Sequence, residues 1–285
     1  MCNAHGQEVI PMPEASTIRV IAHPTDLQPG SEEVFAHALA LALATGATLH
    51  TVHARIPGEA AAVPMHDAKA LLSRWGKEAA LRYEARVLEC CEDPVDTLLH
   101  DLRPLNPDLI VAGRRHLPTR RLLHRNVGTA LARNLRKPAL FLPQGAPGFV
   151  DADTGALHLH RILVPAEGPT EVAVALEPLA EILAAAGHPE VDVVLFHVGD
   201  GSVLDAIDPR PIAGATYHRK HRSGPLEATI LREADEMNAD LVVMATHPRH
   251  GLFEQLRGSH TEHVSGKTTH PVLSVPLEEA GVGAG

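Results

Sequence analysis

Three stretches of this chain recur in the same order. Residues 19–26 read RVIAHPTD and residues 161–168 read RILVPAEG; residues 107–116 read PDLIVAGRRH and residues 239–248 read ADLVVMATHP; residues 137–143 read KPALFLP and residues 270–276 read HPVLSVP. Each is an apolar run that stops at a turn-forming residue. The repeat is far too long for a solenoid unit, so a whole domain is duplicated, and a length of 285 residues agrees with two domains.

Hydrophobic residues make up 45% of the chain and aromatic ones only 3%, so two cores are affordable in number but must be aliphatic. The net charge of -10 argues against a nucleic-acid or membrane-surface partner. Three cysteines cannot form a disulfide framework. Cys90 and Cys91, adjacent in a strand, point to opposite faces and read as packing residues. The opening MCNAHGQEVIPMPEA lacks the apolar core of a signal peptide, and no run reaches the length of a membrane span. A cytoplasmic location is expected.

In the first copy a strand at about 17–23 precedes the long apolar-periodic run SEEVFAHALALALATGA, framed as a helix by Ser31 and Glu33 at its start and Gly46 at its end. A strand at 47–54 follows. A helical pattern over 64–83 comes next, with apolar positions at Ala68, Leu71, Leu72 and Trp75. Then come a strand at about 84–90, a helix after Pro94, a strand at 108–113, a helix at about 126–136 and a strand at 139–143. This alternation predicts a parallel sheet with helices on both faces, and right-handed crossovers leave few topologies. The expected division is a tail (1–16), a first domain (17–144), a linker (145–158), a second domain (159–277) and a tail (278–285).

The linker shows no sustained period. Its DADTG lacks the later ligands and closing Glu of a calcium loop. The second copy is shorter than the first. His53 matches His197 at an offset of 144 and Pro94 matches Pro225 at an offset of 131, so about thirteen residues are missing between the second strand and the third helix. The remaining segment, 199–215, holds two prolines and three glycines and cannot form a helix like 64–83. One aliphatic face of the second sheet is then expected to be bare. It would serve as an association surface against the first copy or against a second chain in a homodimer.

Ligands of such sheets sit at the carboxyl ends of the strands, where the strand order reverses. The residues there are HPTDLQPGSEEVFAHALALA (23–42), the strand-two His53 and His197, PDLIVAG and ADLVVMA, and GLFEQLRGSHTEHV (251–264) running into HPVLSVP. Over about 17–143 and 159–276 they resemble the universal stress protein family. The resemblance implies two tandem, doubly wound, five-stranded parallel-sheet α/β domains, Rossmann-like and similar to the adenine nucleotide alpha hydrolases. It also implies that the last strands, FLP and SVP, pair internally to make a pseudo-dimer. The implied function is stress-response binding without catalytic residues, with ATP or another adenine nucleotide as ligand. The family's nucleotide motif is Gly, two residues, Gly, nine residues, Gly, then Ser or Thr. The early glycines let backbone N–H groups approach phosphates, and the final pair opens a helix whose N-terminus attracts an anion.

Neither copy keeps this motif whole. In the first, Gly113 is present, His116 stands at the second glycine, the next pair falls on Asn126 and Val127, and Gly128-Thr129 comes two residues late; Asp26 follows Pro24. In the second, Ala245 and Pro248 replace the early glycines, Gly258-Ser259 is in register, and the acid after Pro165 is Glu167. Nucleotide contacts are expected from Pro24, Asp26, Gly113, Gly128 and Thr129, or from Pro165, Glu167, Gly258 and Ser259. Glu167 brings negative charge toward the phosphates and Pro248 removes a donor, which favours the first copy.

Residues 113–137 hold Arg114, Arg115, Arg120, Arg121, Arg125, Arg133, Arg136 and Lys137 and no acid. They read either as a grip on a small phosphate-bearing anion or as a solvated basic surface. Histidine is frequent, at 20 residues, and His247, His250, His260 and His263 have spacings compatible with zinc around the second pocket. SGKTT (265–269) has Thr261 where a P-loop needs Gly and follows a helix instead of preceding one. No G-x-S-x-G or H-E-x-x-H occurs. Two alternatives stay open: a slow ATPase or autophosphorylating enzyme, and a ligand-free scaffold with a zinc-binding second domain.

Overall fold

The computed structural model describes residues 16–58, 64–77, 81–90, 93–114, 127–143, 148–247, 264 and 267–277. The first half runs β1 (Val20–Pro24), α1 (Ser31–Thr45), β2 (Thr48–Arg55), α2 (Ala68–Arg74), β3 (Tyr83–Glu89), α3 (Pro94–Leu102), β4 (Leu109–Arg114), α4 (Val127–Leu135), β5 (Ala139–Pro143). The second runs β6 (Arg161–Pro165), α5 (Pro169–Ala185), β7 (Val191–Val198), α6 (Ser202–Asp205), β8 (Ala215–Arg222), α7 (Leu226–Glu236), β9 (Leu241–Thr246), β10 (Val272–Pro276).

Strand pairing fuses the copies into one ten-stranded sheet of order β3-β2-β1-β4-β5-β10-β9-β6-β7-β8. Every pair is parallel except the central one, where Ala139, Leu140 and Phe141 of β5 run antiparallel to Ser274, Leu273 and Val272 of β10. This is the internal pseudo-dimer, joined through the last strands. The carboxyl ends of the two halves therefore emerge on opposite edges of the sheet. Its outer strands carry Glu84, Arg86 and Glu89 on one side and Arg219, Lys220 and Arg222 on the other. Charges of this kind discourage edge-to-edge growth.

One face of the sheet is covered continuously across both halves. α1, α2, the 149–159 segment, α5 and the loop after β7 share one aliphatic core there, with α1 packed against α5. The other face holds two separate cores, one under α3 and α4 and one under α7. Because α1 lies between the sheet, α5 and the connector, nine of its residues from Ser31 to Ala42 are buried. It ends at Gly46, whose left-handed backbone (φ 71°) closes the last turn.

Register equivalence measures how far the copies have diverged. Pro24 faces Val52 and Pro165 faces Phe196; Val52 faces Arg86 and Phe196 faces Lys220. The offset is thus 144 at the second strand and 134 at the third. At the fourth it is 132, because Ile21 faces Leu109 and Ile162 faces Leu241. Twelve residues are lost, ten before the third strand and two after it, where the sequence reading placed about thirteen. Pro225 caps α7 whereas Pro94 lies inside α3, so the two prolines are not equivalent.

Several features occur in both halves. Asp108 Oδ2 accepts the N–H groups of Arg19 (2.8 Å) and Val20 (3.0 Å), and Asp240 Oδ2 accepts those of His160 and Arg161 (both 2.8 Å). These aspartates tie down the start of the first strand. Tyr83 OH donates to the His66 carbonyl (3.0 Å) and its equivalent Tyr217 to that of Arg210 (2.8 Å), each pinning the segment that crosses the sheet face. Arg86 on β3 pairs with Asp101 on α3 (3.0 Å), and Lys220 on β8 with Glu233 on α7 (2.6 Å).

Glu233 is buried and also faces Arg222 Nε at 3.0 Å. Glu233→Ala is expected to lower unfolding free energy by about 2 kcal/mol in urea titrations. This is below the roughly 3–5 kcal/mol of a fully buried pair, because both cations can turn to water.

Two expectations need correction. The helix expected over 64–83 is only α2. Asp67 caps its start by accepting the Ala70 N–H (3.0 Å), and the chain turns at Gly76 (φ 64°) so that Trp75 can cover the connector. The connector keeps an irregular course, as expected, but is packed. Val150 bridges Leu157, Phe149 and Leu159 are buried, and Trp75 Nε1 donates to the Ala152 carbonyl at 3.0 Å. The aliphatic face of the second sheet is not bare. Leu204, Ile207 and Ile212 of the shortened loop are buried in it, and Arg219 donates to the Leu204 (3.2 Å) and Ile207 (2.8 Å) carbonyls to hold the loop down. The large hydrophobics left most exposed among the described residues, Ile56 and Val87, lie in the first half. The expected association surface has no support.

Candidate functional site

Each half has one place where successive strands depart in opposite directions: between β1 and β4, and between β6 and β9. The crevices at the carboxyl ends of these pairs are the expected ligand positions.

In the first, Pro24 ends β1 and is buried; Asp26 is exposed and accepts the Gln28 N–H at 3.1 Å, shaping the turn that carries it. Gly113 lies near the end of β4, where a Cβ would come within 3.2 Å of Val34 Cγ2 on α1, so glycine permits this close helix–strand approach. Gly128 is buried and Thr129 half-buried in the first turn of α4, whose N-terminus lies at this same edge. The structure thus places the first-copy residues on the elements that border one crevice. Of the basic segment, Arg114 ends β4, Arg133 lies in α4, and Arg136 and Lys137 follow it; Arg115, Arg120, Arg121 and Arg125 lie outside the described residues.

Two histidines given no role in the sequence reading, His23 and His66, lie at this crevice. His23 Nδ1–H donates to the Val111 carbonyl at 2.8 Å, joining β1 to β4, while its Nε2 is buried without a hydrogen-bond partner among the described residues. Burial pushes its pKa down to about 4 despite that hydrogen bond. His66 stacks on Phe35 (ring centroids 4.8 Å apart), and its Nε2 lies 3.3 Å from Thr25 Oγ1 and 3.2 Å from Ser31 Oγ. Burial lowers its pKa, with Glu32 and Asp26 opposing. His53 Nδ1–H donates to the Thr25 carbonyl at 2.9 Å, and His197 to that of Ala166 at 2.7 Å. The strand-two histidine therefore anchors the turn after strand one in both halves. No local pattern reveals these partners, which are 28 to 88 residues away.

The second crevice is different. Glu167 occupies the position of Asp26 and is exposed, and Pro165 is half-buried. His247, just after β9, places Nε2 3.4 Å from Glu167 Oε2 and 3.5 Å from Glu171 Oε1 on α5. An imidazole between two carboxylates thus bridges the gap between β6 and β9. Gly258, Ser259, His250, His260 and His263 lie outside the described residues. No helix among the described residues is long and apolar enough to cross a membrane.

Comparison with known proteins agrees with this architecture. A universal stress protein from Archaeoglobus fulgidus DSM 4304 superposes with a TM-score of 0.63 at 18% identity, covering 92% of this chain and 97% of that one. A functionally unknown protein from Pseudomonas aeruginosa PAO1 gives 0.60 at 16% identity, with 91% and 93% covered. At such identities the likeness shows the fold alone. No curated protein matches the chain. The profile of the universal stress protein family matches residues 17–143 and 208–276. The second match begins inside the shortened crossover, although strand pairing makes β6, α5 and β7 the counterparts of β1, α1 and β2. Since the matched segments make up more than half of the sequence, the chain belongs to the universal stress protein family.

Proposed function

We propose that this protein is a non-enzymatic, stress-response binding protein whose first half takes ATP or another adenine nucleotide in the β1–β4 crevice. The observation that carries this reading is the contrast between the two crevices. The second is spanned by the Glu167–His247–Glu171 cluster, whose carboxylates repel a phosphate chain. The first presents the α4 N-terminus with Gly128 and Thr129, beside a segment rich in arginine. Both features favour an anion. No residue is assigned a catalytic role.

Calorimetric titration of the full chain with magnesium and ATP tests the reading. Thr129→Ala is expected to weaken binding by roughly tenfold, the value of about one charge-assisted hydrogen bond, while Glu167→Ala leaves it unchanged. A chain that takes up no nucleotide at millimolar ATP, or one whose binding responds to Glu167→Ala instead, overturns it. Absence of binding would favour the ligand-free scaffold, a reading supported by His66, which already fills the space between Thr25 and Ser31.

A further inference from the structure

The equivalent strand-two histidines differ in what stands beside them on strand three. His53 faces Val87 across β2 and β3; His197 faces His221 across β7 and β8. Register partners on adjacent strands lie about 4.8 Å apart and project to the same face. The second half therefore holds two imidazoles side by side near the carboxyl edge of its sheet, His197 half-buried and His221 exposed.

The chemistry of His197 is fixed by its surroundings. Its Nδ1–H is committed to the Ala166 carbonyl at 2.7 Å, so Nε2 is the unprotonated nitrogen. Anchoring one ring nitrogen on a carbonyl is how metal-binding imidazoles are oriented and kept in the ligating tautomer. Residues 199–201 pass over the pair. A Cβ at Gly199 would lie 2.8 Å from His197 Nε2, and one at Gly201 would lie 2.6 Å from His221 Cδ2 and 2.8 Å from its Nε2. The backbone at both glycines passes close to the rings, and a side chain at either position would collide with them. Asp200 stands between these glycines with its carboxylate held by the Ser202 N–H at 3.1 Å, adding negative charge beside the imidazoles.

From this juxtaposition we propose that His197 and His221 bind a divalent transition-metal ion such as zinc, His197 through Nε2. Among the described residues no three His, Cys, Asp or Glu side chains are gathered to hold an ion. The site therefore has two protein ligands, with water in the remaining positions and Asp200 as the neighbouring anion. Such an open site binds more weakly than the four-ligand sites of structural zinc. It is separate from the nucleotide crevice, which opens on the opposite edge of the sheet, and it does not depend on His247.

Titration of the full chain with zinc chloride at pH 7.5, followed calorimetrically, tests the assignment. Zinc binding is expected to be at least about tenfold weaker in His221→Val, since losing a ligand costs no less than losing its outer-shell support. Valine already occupies the equivalent position in the first half, and an unchanged melting temperature verifies the fold; His221→Gln serves as a second, polar variant. His247→Ala should retain the binding. An absence of zinc binding in the parent chain overturns the proposal. So does an isotherm unchanged by both His221 substitutions, or one lost in His247→Ala.

Discussion

Acidification from pH 7.5 to below 4 is expected to remove about 3 kcal/mol of stability for each of two buried histidines, His23 and His37. Burial is the main cause in both, and holds each pKa at about 4, against 6.5 for an ordinary imidazole. Between those values the unfolded chain binds protons that the folded chain refuses. The stabilisation is complete above about 6.5 and is lost progressively as pH falls toward 4, at about 1.4 kcal/mol per unit for each group. Urea titrations at half-unit steps would reveal this slope. Constant stability from pH 7 to pH 4.5 would show that neither ring is buried in its neutral form.

Replacing His37 by leucine is expected to cost about 3 kcal/mol at pH 7.5, or roughly 6–10 °C in melting temperature. Its Nδ1–H donates to the Glu33 carbonyl (2.7 Å), so Nε2 accepts, and it accepts twice, from the Phe149 N–H (3.0 Å) and the Val150 N–H (3.3 Å). Leucine fills the volume but leaves two buried donors without an acceptor. The ring also packs edge-on to Phe149 at 4.9 Å, and no side chain fits at Gly148, whose Cβ would lie 2.2 Å from His37 Nε2. The deficit should shrink at low pH, where the parent chain has itself lost the benefit of a neutral His37. A melting temperature within a degree of the parent would sink this account of the connector.

The duplication and the parallel sheet were legible because uninterrupted aliphatic runs leave little choice of structure, whereas the pairing of the last strands was implied only by the family resemblance. The equivalence of Asp26 and Glu167 could be read for the same reason, since each follows a strand-ending proline by two positions. The length of α2 could not, because apolar spacing continues past the glycine that ends it. The cover over the second sheet was missed because Leu204, Ile207 and Ile212 follow neither a strand nor a helix period and sit among prolines and glycines. The crevice histidines were hidden for another reason: His23 and His66 owe their roles to partners brought near only by folding.

The antiparallel seam between β5 and β10 has a consequence for how the two sites can change. In a symmetric dimer of identical chains, every substitution appears twice and alters both sites together. Here the pseudo-symmetric frame is kept by a single polypeptide in which each position is encoded separately. Val87 and His221, or Asp26 and Glu167, can differ without any disturbance of their counterparts. The seam thus lets the two crevices at opposite edges of one sheet diverge independently, one bordered by Asp26, Gly128 and Thr129 and the other by Glu167, His247 and Glu171.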